Sequence, residues 1–153
     1  MEWVKRFGVK AQLLFVEQIR LGTTHHKLAQ TVGFGMVLGI IPVLGVTTAL
    51  CALFALRLKL NQVIIQAINY VAYPFQLLLF IPFYRLGELL FNRPPIPLYI
   101  PDLIEQFKMN FWGSMEKYTV AGLMGVCAWL IIAPVLYFGL YSATHLLLKK
   151  IKS

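Results

Sequence analysis

Residues 28–56 read LAQTVGFGMVLGIIPVLGVTTALCALFAL, a run of 29 positions without a formal charge. A helix needs roughly 20 apolar residues to cross a bilayer, so this run is long enough. Pro42 and Gly45 interrupt it near the middle. Proline removes a backbone donor and collides with the preceding turn, and glycine admits a sharp reversal. At the helical rise, residues 28–41 reach about 21 Å and residues 46–56 about 16 Å. Neither arm alone crosses a hydrocarbon core of about 30 Å. The run is therefore either one kinked crossing helix or two half-helices forming a re-entrant hairpin that turns at Pro42 and Gly45.

Two further uncharged runs, residues 60–84 and 118–148, flank a loop at residues 85–117. Hydrophobic residues make up 59% of the 153-residue chain and charged ones 13%, against about 45–50% and 25% in soluble domains. Mean hydropathy is +0.72. This balance excludes a disordered chain and argues against a soluble enzyme. The expected fold is all-α and integral to a membrane. It is a small helical bundle with a Pro/Gly-broken hairpin, a second span kinked at Pro74 and a C-terminal span. Residues 25–153 form one membrane domain. Residues 1–24 carry an amphipathic helix, with Trp3, Phe7, Leu14 and Phe15 opposite Lys5, Arg6, Lys10 and Arg20, suited to a membrane interface or to capping the bundle. No cleavable signal is expected there.

The net charge is +8, and its placement matters more than its size. Cations cluster before the first run, at Arg57 and Lys59, and at Lys149, Lys150 and Lys152. The loop holds Arg85, Arg93, Lys108 and Lys117 against Glu88, Asp102, Glu105 and Glu116. If the first run is re-entrant and the other two cross, both termini share the cation-rich face, which is cytoplasmic by the positive-inside rule. That pattern favours the hairpin over a third crossing. No basic patch with interleaved aromatics suggests nucleic acid. Within the loop, Pro101 followed by Asp102 and Glu105 predicts a short amphipathic helix over 102–117.

The most informative polar pattern is a stripe on the second run. Gln62, Gln66, Asn69, Tyr73 and Gln76 share one helix face by their spacing. Such groups avoid lipid, so the stripe either glues helices together or lines a solute site. A half-helix starting after Gly45 aims free N–H groups inward, with Thr47 and Thr48 adding hydroxyls for capping or for an anionic solute. Gly35 and Gly39 permit close helix contact, inside the bundle or across a homo-oligomer face. Arg85 and Glu88 are spaced for an ion pair at the span boundary. Tyr137, Tyr141 and His145 form an aromatic column near a helix end. Cys51 and Cys127 read as buried small hydrophobes, and the adjacent His25 and His26 make a poor metal pair.

These residues bring a family into view. Gly39-Ile40-Ile41-Pro42-Val43-Leu44-Gly45 followed by Thr47-Thr48 resembles the signature of the bacterial membrane family catalogued as domain of unknown function 2062. Arg57-Leu58-Lys59-Leu60-Asn61 is similar to its Arg-Leu-Asn element, and Tyr84-Arg85-Leu86-Gly87 to its Tyr-Arg-Leu-Gly element. Where that family usually has Asn-Pro, this chain has Tyr73-Pro74, with Asn69 one helical turn earlier. The resemblance covers about residues 25–150. It implies a small multi-pass protein of a bacterial inner membrane with no established activity. Members that look fused to glycosyltransferase domains hint at cell-envelope or lipid-linked-sugar work.

No enzyme signature stands out. Ser114, Ser142 and Ser153 lie in no nucleophile elbow, there is no phosphate loop or metalloprotease motif, and no catalytic, metal or cofactor site is expected. Two expectations follow. One is transporter-like handling of a small or amphiphilic solute between hairpin tip and stripe. The other is a non-catalytic scaffold or accessory subunit for an envelope enzyme. The bilayer is the expected partner in both.

Overall fold

The structure, a computed structural model, describes residues 24–151, and every regular element in that range is a helix. The first uncharged run does not continue as one rod. It divides into α1 (His25–Gly39) and α2 (Thr47–Leu58). Pro42 has no N–H to continue the α1 ladder, and Gly45 takes φ +87°, a left-handed conformation that only glycine adopts at little cost. At the other end of the hairpin, Lys27 Nζ donates to the Leu58 carbonyl at 2.6 Å. The start of α1 and the end of α2 therefore meet, and the two arms are antiparallel.

Local capping sets the remaining boundaries. Thr24 Oγ1 accepts from Lys27 N and opens α1. Lys59, at φ 53°, ends α2 while Leu60 N bonds back to the Ala55 carbonyl at 2.8 Å, the left-handed stop common to helix C-termini. Asn61 Oδ1 accepts from Ile64 N at 2.9 Å and opens α3 (Gln62–Leu90), which runs through Pro74 and Pro82. The extended residues 93–99 lead to α4 (Ile100–Met109), with proline in its first turn and Asp102 there as expected. α5 (Phe111–Ile151) then runs through Pro134 to the end of the described residues.

The loop helix differs from the expected 102–117. Asn110 leaves the helical conformation (φ −148°, ψ 90°), and its Oδ1 accepts from Gly113 N at 3.0 Å. One asparagine thus stops α4 and starts α5, so Phe111 and Trp112 belong to the long helix. The third uncharged run, 118–148, lies wholly inside α5. The amphipathic helix expected within residues 1–24 lies outside the described residues.

α1, α3 and α5 pack on one another, and α2 lies against α1 and α3. Leu28, Ala29, Cys51, Ile65, Ala72 and Ala128 are fully buried between them. Cys127, expected to be buried, is only partly so. Gly35 and Gly39 mediate close contact inside the bundle. A Cβ on Gly35 would meet Ile68 at 2.9 Å, and one on Gly39 would meet Ala72 Cβ at 2.6 Å. The α3–α5 crossing is tighter, because a Cβ on Gly87 would stand 2.5 Å from the Met124 backbone.

α3 and α5 are each long and apolar enough to cross a membrane. At the helical rise they measure about 43 and 61 Å, whereas α1 and α2 measure about 22 and 18 Å. Outward-facing large hydrophobics are numerous on both. Leu77, Leu78 and Ile81 on α3, and Leu123, Leu130, Ile131, Val135 and Phe138 on α5, are all more than half exposed.

Candidate functional site

The last carbonyls of a helix lack intrahelical partners, and the turn that follows Gly39 adds carbonyls of its own. Here side chains from both long helices supply the donors. Trp129 Nε1 on α5 donates to the Val37 carbonyl at 3.1 Å. Gln76 Nε2 on α3 donates to the Ile41 carbonyl at 2.7 Å and to the Val43 carbonyl at 3.2 Å. Gln76 is 1% exposed. The bonds to Val37 and Ile41 are buried and that to Val43 partly so, and a buried bond costs most to lose.

The stripe fastens the second arm in the same way. Gln62 Nε2 donates to the Ala52 carbonyl and Gln66 Nε2 to the Thr48 carbonyl, each at 3.0 Å. Asn69 Nδ2 lies 3.4 Å from Thr48 Oγ1 and 3.5 Å from Gln66 Oε1. Four of the five stripe residues thus come together along the hairpin. Tyr73 does not join them, being about half exposed. Residues 44–46 of the turn are exposed as well. Pro74 is exposed beside Tyr73.

Among the described residues three buried amide oxygens accept no hydrogen bond: Asn69 Oδ1 and Gln76 Oε1 in the stripe, and Gln30 Oε1 on α1. The threonines differ from expectation. α2 begins at Val46 with no side-chain cap; Thr47 is buried, and Thr48 is exposed with its hydroxyl toward Asn69. A capping role for either is overturned, because Val46 is already in the right-handed helical region, where the extended cap geometry is not available.

The Arg85–Glu88 pair forms as spaced, with Nη1 to Oε2 at 2.8 Å. Its second function was not legible. Glu88 is 3% exposed, and its other oxygen accepts Ile96 N at 2.7 Å, which pins the proline segment onto α3. The aromatic column also forms. Tyr137, Tyr141 and His145 stack in series, and Tyr141 Oη lies 2.7 Å from His26 Nδ1, an inter-helix bond that spacing alone could not reveal. Trp129 is the other residue missed. Its signal was a lone indole N–H inside an apolar span, a donor that needs a buried acceptor. Among the described residues no cluster of three His, Cys, Asp or Glu side chains could hold a metal ion.

The family model described as an uncharacterized protein conserved in bacteria, domain of unknown function 2062, matches residues 10–153. The chain belongs to that family. In this member of the family 2062, the signature Gly39–Gly45 is the hairpin turn with the end of α1, Asn61 of the Arg-Leu-Asn element caps α3, and Gly87 of the Tyr-Arg-Leu-Gly element is the α3–α5 crossing point. No curated protein and no solved structure matches the chain.

Proposed function

We propose that this is a multi-pass protein of the bacterial inner membrane that handles a small or amphiphilic solute where the α1–α2 hairpin meets α3. On this reading α3 and α5 cross the bilayer, and the hairpin re-enters it from the cytoplasmic face that also holds both termini. The outward apolar faces of α3 and α5 and the short arms of the hairpin support the membrane part. One observation carries the solute part: the buried, unpartnered oxygens of Asn69 and Gln76 beside the broken helix. An unmet buried acceptor is costly and is relieved by a donor. This shifts the expected solute from a plain anion toward one bearing hydroxyl or ammonium donors.

The scaffold reading has its own support, since Gln62, Gln66 and Gln76 all have their N–H groups engaged by hairpin carbonyls. Thermal unfolding of the detergent-solubilised protein separates the two. Ethanolamine, glycerol or a hexose should raise the midpoint for the wild type and not for Asn69→Leu. A panel without effect on the wild type, or an equal effect on the variant, would leave the scaffold. Topology is tested separately with single cysteines at Leu58 and Leu98, after replacing Cys51 and Cys127. The expected result is cytoplasmic labelling at Leu58 and external labelling at Leu98; external labelling of Leu58 would make the first run a crossing.

A further inference from the structure

Away from the hairpin, a cleft of about 450 Å³ opens between the proline segment and the start of α5. Hydrogen bonds tie its walls together. Glu88 Oε1 holds Ile96 N at 2.7 Å, the Glu88 carbonyl accepts Arg93 N at 2.9 Å, and Tyr118 Oη donates to the Pro97 carbonyl at 3.1 Å. Pro94 and Pro95 stiffen the chain between these ties. The floor is apolar, formed by buried Ile96 and Met124 with Val120. The rim carries the exposed charges Arg93, Lys117 and Glu116. Among the described residues the Arg93 guanidinium pairs with no carboxylate. Lys117 Nζ is held by Gln106 Oε1 at 3.0 Å.

The order of these groups along α5 is what points to a ligand. Glu116 and Lys117 precede the uncharged run, and Val120 and Met124 are its first turns. Arg93 stands three residues past the end of α3. In a chain that crosses the bilayer, a charged rim above an apolar floor lies at headgroup depth. We propose that this cleft binds the headgroup of an aminophospholipid. Arg93 and Lys117 take the phosphodiester, Glu116 takes the primary ammonium, and an acyl chain lies over Val120 and Met124. Two cations with one acid match a phosphate carrying an ammonium better than a bare anion. Guanidinium and ammonium donors to phosphate oxygens are among the stronger hydrogen bonds. The proposal rests only on the membrane-crossing part of the function above, not on the solute site.

Native mass spectrometry of the full chain, released from detergent with phosphatidylethanolamine, phosphatidylglycerol or phosphatidylcholine of matched acyl chains, tests it. The wild type should retain phosphatidylethanolamine several-fold more than phosphatidylcholine. Glu116→Gln should abolish that preference, and Arg93→Ala with Lys117→Ala should lower retention of all three lipids several-fold. Soluble glycerophosphoethanolamine should not compete at lipid-equivalent concentration; effective competition would mean a site for the free phosphodiester and would overturn the lipid assignment. Equal retention by the double variant, or no preference in the wild type, would also overturn it. Carbonate extraction of membranes keeps the two proposals apart. A protein that washes off refutes the membrane reading, whereas one that stays but fails the lipid series refutes only the headgroup site.

Discussion

At the scale of single residues, the amide of Gln76 joins α3 to the turn of the hairpin. Two turn carbonyls accept from one buried Nε2. Gln76→Leu preserves approximate volume but leaves the Ile41 carbonyl with only its contact to Val43 N and the Val43 carbonyl without the donor from α3. The expected loss is about 1–3 kcal/mol, read as a lower unfolding midpoint in detergent. Gln66→Leu is the matched control. Its bond to Thr48 lies at an exposed position, where a hydrogen bond contributes about 1 kcal/mol or less, so its midpoint should move clearly less. Equal shifts in the two variants would show that burial does not set the difference.

Among elements, the glycines separate two kinds of constraint. Gly45 has open space around it and φ +87°, so Gly45→Ala meets no atom and carries only the left-handed strain, about 1–2 kcal/mol. Gly87 has the reverse problem. Its new Cβ would meet backbone atoms of Met124 and Gly125, which cannot rotate aside as a side chain could. Gly87→Ala must part α3 from α5, and the expected cost of such overpacking is about 1–3 kcal/mol. Disulfide trapping between cysteines placed on α3 and α5 should slow in Gly87→Ala and stay unchanged in Gly45→Ala. Helix boundaries were legible in the sequence where one residue carries the cue, as at Pro42, Gly45 and Pro101. The α4–α5 boundary was not, because Asn110 acts through its side chain on Gly113 and the flanking residues read equally well as one amphipathic helix.

For the whole molecule, the all-helical architecture followed from three uncharged runs and the break in the first. The stripe was legible because period 3.6 forces its members to one side, and four of the five do line the hairpin. Tyr73, between Asn69 and Gln76 on the same face, stays about half exposed, because periodicity says which residues share a face but not which of them a neighbour covers. The partners of the stripe glutamines could not be read at all. They are backbone carbonyls, which every residue has, so no sequence pattern marks them. The same holds for the carbonyl that Trp129 meets and for the Ile96 N–H that Glu88 accepts.

That choice of partners bears on how the chain is made. The hairpin ends at Leu58, and the amides that fasten it begin at Gln62, with Gln76 and Trp129 later still. A ribosome releases α1 and α2 before any of these donors exists. On the re-entrant reading, the Val37 and Ile41 carbonyls of a nascent hairpin would face lipid without their side-chain donors, which is costly in hydrocarbon. On that reading the hairpin waits at the interface and enters together with α3. With Cys51 and Cys127 replaced and a single cysteine placed at Leu44, chains arrested before Gln76 emerges should react with a water-soluble thiol reagent, and chains arrested beyond Trp129 should not.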